Sequence, residues 1–211
     1  MKLFPASILL ATHLAFSYCQ YDLSTLPKDD ERKLANARSL LNGTSTLFLI
    51  EAVNGIMRGN TPICWSSSKI DDSQPLFHHN ITYYTIGEEN SASKHRLVSR
   101  DAYWSVGTRH KVPMVSIMVK DEKAMYYNIN TDNLLYEAEE HCLVIGNPND
   151  TSCLHWVASD KIGINRSRCN NAFFKNCTHF TGSWYFWLEK CDNKNNPKHL
   201  TNTISLPRTG N

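Results

Sequence analysis

The sequence predicts a mainly β protein, an antiparallel up-and-down barrel or a sandwich, flanked by one helix near each end. Three observations predict it. Eight or nine short segments rich in β-branched and aromatic residues follow one another at regular spacing, turn residues separate them, and helix signals occur only at the flanks.

Residues 1–19 stand apart from the rest. Lys2 precedes an apolar run from Leu3 to Phe16, broken only by Pro5, Ser7, Thr12 and His13. Ser17 and Cys19 then occupy the positions that precede a cleavage before Gln20. This is the pattern of a signal peptide, too short for a membrane span, so the chain is expected to be secreted and extracellular. No later stretch reaches about eighteen apolar residues, so no membrane anchor is expected. The remaining 20–191 read as one domain of a size that hides about 70% of the unfolded chain's surface. Residues 192–211, rich in Asn and Lys, read as a disordered tail.

The first element of the domain is a helix from Pro27 to Asn42. Proline suits its first turn, Asp29, Asp30 and Glu31 complement the positive end of its dipole, and Asn42-Gly43 ends it. Strands are expected at Thr46–Val53, Thr61–Ser68, Leu76–Ile86, His95–Val106 and Val112–Lys120. Ala124–Ile129 and Leu134–Glu139 flank Thr131-Asp132-Asn133 and form either a hairpin or one long bent strand. His141–Ile145 and Cys153–Ala158 make a last hairpin about a Gly146–Asp150 turn, and a helix covers Ser167–His179. Trp184 to Trp187 is an aromatic cluster expected to pack on the barrel as an extended segment.

Alternation assigns side chains to faces. Asn80 and Thr82 belong to one glycosylation sequon and face solvent, which turns Phe77, His79, Ile81 and Tyr83 inward. In the last hairpin Cys142, Val144, Cys153 and His155 share one face, and Leu143, Ile145, Leu154 and Trp156 share the other. Cys169, Phe173 and Cys177 form one stripe of the late helix.

With Cys19 removed, six cysteines remain in an exported chain, which reads as three disulfides. Two cysteines on the outer hairpin face match two on the helix stripe. That pairs Cys142 with Cys169 and Cys153 with Cys177, and leaves Cys64 with Cys191. Sequons at Asn42, Asn80, Asn149, Asn165 and Asn176 predict a glycoprotein.

These cysteines also carry a resemblance. A cysteine early in the second strand (Cys64) is followed by Cys142-Leu143-Val144-Ile145 and by Cys153-Leu154-His155-Trp156-Val157. A cysteine then opens a helix (Cys169), and Cys191 comes last. The pattern resembles the tick salivary lipocalins of the histamine-binding family, most specifically from Cys142 to Cys191. The resemblance implies a lipocalin-type eight-stranded antiparallel up-and-down barrel, with an N-terminal helix and a C-terminal helix packed outside. It also implies the Cys142–Cys169 and Cys64–Cys191 bridges, with Cys153–Cys177 as in some relatives. The implied function is sequestration of a host mediator, an amine such as histamine or serotonin or a lipid, to suppress host defence. The amine binders resemble C-D-[VIL] and E-L-[WY] at the hairpin, whereas Leu143 and Leu154 stand here at the two acid positions. A buried ammonium needs a counter-charge or an aromatic cage, so the substitution tilts the expected ligand toward lipid. Glu51, Asp132, Glu139 and Glu140 are the acids that could restore the charge.

The residues expected to contact a ligand are therefore Trp156, Leu154, Leu143, Ile145, Phe77, His79 and Tyr83. His79 reads first as a hydrogen-bonded core histidine and second as a polar handle. The histidines and cysteines lack zinc-finger or HExxH spacing, so no metal or cofactor is expected. No G-x-S-x-G, P-loop or comparable catalytic motif occurs, and the chain reads as a binder rather than an enzyme. A net charge of +2 without basic blocks gives no footprint for nucleic acid. The alternative reading is a protein-interaction module directed at a host protease, complement component or receptor.

Overall fold

A computed structural model gives the structure of the chain and describes residues 26–54, 63–71, 75–86, 95–120, 126–186 and 191. The expected signal peptide and tail lie outside them. The elements are α1 (Lys28–Asn42), β1 (Leu47–Val53), β2 (Ile63–Asp71), β3 (Phe77–Ile86), β4 (His95–Arg109) and β5 (Val112–Lys120). They continue with β6 (Tyr126–Glu139), β7 (Cys142–Asn147), β8 (Ser152–Ala158), α2 (Ser167–Cys177) and β9 (Trp184–Phe186).

From β2 to β8 each strand pairs antiparallel with the next in sequence, and β1 closes the ring between β8 and β2. The result is a closed eight-stranded up-and-down barrel, and of the two architectures open to the sequence the sandwich is excluded. Closure is uneven along β1. Only Leu47 and Phe48 pair with β2, opposite Ser67 and Ser66. Farther along, Glu51, Ala52 and Val53 pair instead with Phe186, Tyr185 and Trp184 of β9.

Alternation sorts residues between the lumen and the outside. In β5, Pro113, Val115, Ile117 and Val119 are buried and the residues between them are not. Every residue of β7 and β8 is buried, because α2 covers the outer face of this hairpin. Two separate apolar clusters follow. Leu143, Ile145, Leu154 and Trp156 join the interior cluster. Cys142, Val144, Cys153 and Val157 join an outer one with Cys169, Phe173 and Cys177 of α2.

Three features decide or extend the sequence reading, each with a physical cause. The segment around Thr131–Asn133 is one continuous strand, kept in the sheet by register shifts against β5 between Val115 and Met118. The last hairpin is longer than expected: Gly146 and Asn147 stay in the ladder opposite Cys153 and Ser152, and the turn contracts to Pro148–Thr151. While α2 lies outside, α1 seals an end of the barrel. Its Leu34, Ala37, Leu40 and Leu41 belong to the interior cluster. Its polar groups bond the strand ends there, Arg38 to the Val106 carbonyl and Asn36 to that of Ala138. Among the described residues no helix is long and apolar enough to cross a membrane.

Candidate ligand-binding site

The interior wall is built on the β7–β8 ladder. Leu143 stands opposite Trp156 and Ile145 opposite Leu154, and all four are fully buried. Directly opposed residues of an antiparallel pair share a face, so these two rungs form one apolar panel. Phe77 belongs to the same cluster, Tyr83 packs against it, and His79 is buried. The structure therefore gathers all seven expected residues on the inner side of the barrel.

Sequence reasoning missed two tryptophans. Trp104 is fully buried and meets Trp156 edge to face, with ring centroids 5.4 Å apart. Trp65 stacks on Tyr83 at 4.1 Å. Trp104 is the rung partner of Phe77 and shares its inward face, a pairing that becomes visible only once the strands are in register. Aromatic pairs of this kind contribute about 0.5–1.5 kcal/mol beyond their buried area.

The polar groups of the interior are used internally at the α1 end. The Trp104 indole N–H donates to Ser67 Oγ (3.1 Å), and Ser67 Oγ lies 2.9 Å from His79 Nδ1. His79 Nε2 lies 2.8 Å from the Leu41 carbonyl, which can only accept. The hydrogen is therefore on Nε2, and Nδ1 accepts from Ser67. Burial is the largest influence on His79 and pushes its pKa down to about 4, against the opposing effect of the Leu41 carbonyl. The ring is neutral at physiological pH and both its nitrogens are occupied. By contrast, Trp156 Nε1 is buried with no hydrogen-bond partner among the described residues.

The acids that could have replaced the missing counter-charge lie elsewhere. A bulge in β1 between Leu49 and Glu51 adds Ile50 to the strand, which places Glu51 on the outer side. There its Oε2 lies 2.8 Å from Nδ1 of His155, a fully buried residue under α2. Glu139 lies 3.6 Å from Cys142 Sγ on the same outer face. Glu140 is exposed beside His141. Glu137 is committed to Arg32 of α1 at 2.6 Å. The side chain of Asp132 lies outside the described residues.

The outer face has its own order. Disulfides join Cys64 to Cys191, Cys142 to Cys169 and Cys153 to Cys177, so two of them fasten α2 to the hairpin. His155 lies against Phe173, with ring centroids 5.8 Å apart, and burial lowers its pKa despite Glu51. Ligand atoms of Cys142, His155 and Cys169 approach within 4.8 Å of one another. The two sulfurs are bonded to each other, however, and offer no thiolate to a metal. Of the sequon residues, Asn42, Asn149 and Asn165 are exposed, while Asn80 and Asn176 are half-buried.

Solved structures of similar fold include Japanin from Rhipicephalus appendiculatus bound to cholesterol, at 12% identity and a TM-score of 0.49 over 70% of this chain and 93% of that one. A serotonin complex of AM182 is similar at 13% identity and a TM-score of 0.43, covering 71% and 86%. Lobster apocrustacyanin A1 follows at 14% identity and a TM-score of 0.39, covering 76% and 86%. No curated protein matches the chain. A family model described as tick histamine binding protein matches residues 28–193. Since that match begins with the helix that seals the barrel and runs past the last cysteine, the chain belongs to the tick histamine binding protein family.

Proposed function

We propose that this protein is a secreted, non-catalytic lipocalin that sequesters a hydrophobic host mediator in its barrel and thereby suppresses host defence. In this reading residues 1–19 leave as a signal peptide, 20–191 form the binding domain, and 192–211 follow it as a polar tail. Mechanism is stoichiometric capture, so affinity and abundance set potency.

The observation that carries the reading is the placement of Leu143 and Leu154 beside Trp156 on the inner panel, with Glu51 and Glu139 turned outward. An ammonium brought to this panel would be buried without a partner, at a cost of several kcal/mol. An apolar body instead gains about 25 cal/mol for each Å2 it removes from water. The unpartnered indole N–H of Trp156 favours a ligand that carries an acceptor oxygen, such as a hydroxyl or carboxylate, on that body. Phe77, Tyr83 and Ile145 complete the contact surface, and His79 belongs to the bonded floor beneath it.

Calorimetric titration with histamine, serotonin, a leukotriene and a C18 fatty acid tests the proposal. Binding of the lipids with weak or absent amine binding is expected. Nanomolar histamine binding would overturn it.

A further inference from the structure

A groove runs over the outside of the barrel between α1, α2 and β6. Two adjoining depressions of about 370 and 300 Å3 share Lys33, Tyr136, Lys175 and Asn176 and form a single channel. Tyr136, Val112 and Pro113 supply ring and aliphatic surface. Much of the polar side is charge-paired: Lys33 bridges Asp29 at 3.0 Å and Asp30 at 3.1 Å, Glu137 is held by Arg32, and Arg168 lies 3.4 Å from Asp29, while Lys111 and Lys175 add two further ammonium groups. Together these groups present many donors and acceptors along the rim. An aromatic surface beside such a rim matches a saccharide, whose ring packs its C–H face on an aromatic and turns its hydroxyls to polar groups.

A saccharide also has an attachment point inside the groove. Asn176 lines both depressions and begins the sequon Asn176-Cys177-Thr178. It sits near the end of α2, and its Nδ2 donates one hydrogen to the Ala172 carbonyl at 2.7 Å. A glycosylated asparagine keeps one amide hydrogen, so this bond survives attachment and fixes the direction of the amide. Neither Asn149, on the turn between β7 and β8, nor Asn165, before α2, lines the groove.

We propose that Asn176 is N-glycosylated and that the first sugars of its glycan lie in this groove against Tyr136, between the two helices. In the attachment step Nδ2 forms a bond to the anomeric carbon of an N-acetylglucosamine. The bond from that carbon to a lipid diphosphate carrier breaks, the diphosphate leaves with the electron pair, and the amide gives up one proton. Seated in this way, the glycan is a third tie between α2 and the barrel, beside the two disulfides.

The test uses the full chain produced in a eukaryotic secretory host, with peptide mapping, thermal melting and hydrogen exchange. The Asn176 peptide should carry a glycan in the wild type and in Thr178→Ser, and lose it in Thr178→Ala. Removing the glycan, either by Thr178→Ala or by enzymatic cleavage of the folded wild type, should lower Tm by about 2–4 °C. It should also speed amide exchange in α2 and around Tyr136, whereas Thr178→Ser should leave both unchanged. An unmodified Asn176 would overturn the proposal. So would a glycan whose removal leaves exchange around Tyr136 unchanged, since that glycan stands in solvent.

Discussion

At the scale of single residues, the interior is organised by which polar atoms have partners. His79 has two, and it is kept neutral by burial, with a pKa of about 4. An unfolded histidine titrates near 6.5, so between these values the unfolded chain takes up a proton that the folded chain refuses. The stability that His79 contributes is complete above about pH 6.5 and is lost as pH falls toward 4, a change of roughly 3 kcal/mol. His155 is shifted in the same direction by burial and steepens the loss. Urea unfolding between pH 7 and pH 4 should show this decline, and His79→Leu should flatten it while lowering stability at pH 7. Leu154 is the second informative residue. Replacing it by glutamate, Leu154→Glu, puts a carboxylate on the apolar panel opposite Ile145. It should raise histamine affinity, lower fatty-acid affinity, and destabilise the ligand-free protein by about 3 kcal/mol. Parallel calorimetric and denaturant titrations of the variant would check all three effects.

At the scale of elements, the β7–β8 hairpin and α2 were legible because cysteines and aliphatics alternate on the strands and recur on one helical stripe. Less legible were features that break a period. Ile50 is one extra residue in β1, and it alone sends Glu51 to the outer face. The polar stretch Thr131-Asp132-Asn133 imitates a turn, yet neighbouring strands hold it in the sheet. The helix α1 was visible from Pro27, the acids of its first turn and Asn42-Gly43, but the surface it covers could not be read, because that surface is assembled from the ends of distant strands. Gly146 shows how closely the hairpin approaches its neighbours. A Cβ there would lie 2.6 Å from the Tyr136 ring and 2.8 Å from both Cys153 Sγ and the Ser152 carbonyl. Two of these neighbours, a disulfide sulfur and a backbone carbonyl, cannot swing away. Gly146→Ala should therefore cost about 1–3 kcal/mol, measurable as a lower urea midpoint at unchanged slope.

At the scale of the whole molecule, the weak point of the barrel wall is the seam where β1 leaves β2. It is closed by β9, which pairs with β1, and by Cys191, which is bonded to Cys64. The Tyr185 hydroxyl accepts the Cys64 N–H at 2.9 Å and lies 3.2 Å from Cys191 Sγ, and burial pushes its pKa up to about 12. The Cys64–Cys191 bridge spans 127 residues, against 24 for Cys153–Cys177. If each bridge acts mainly on the unfolded chain, the long one contributes about 5 kcal/mol and the short one about 3.5. Replacing Cys64 and Cys191 together by alanine should thus lower the unfolding free energy by about 1–2 kcal/mol more than replacing Cys153 and Cys177. Equilibrium denaturation of the two double variants would establish the order, and the reverse order would mean that the loss of native contacts under α2 outweighs chain entropy. The inner panel was thus readable from alternation and the closed barrel from the family resemblance, while the seam was not, because it depends on a three-residue strand supplied from the far end of the domain.

The split edge of β1 also dictates a sequence of events in time. Glu51 meets His155, its neighbour across the ladder, only after 104 further residues have been made. At about 5–20 residues per second, the first strand waits roughly 5–20 s for its main partner, and longer for β9. Strands β2 to β7 can meanwhile pair in the order of their synthesis. During that interval the nascent chain carries an exposed strand edge and a reduced Cys64, and Cys142 emerges long before Cys191. Transient Cys64–Cys142 mispairing is therefore the kinetic hazard built into this topology, and productive folding depends on thiol exchange being faster than aggregation through the waiting edge.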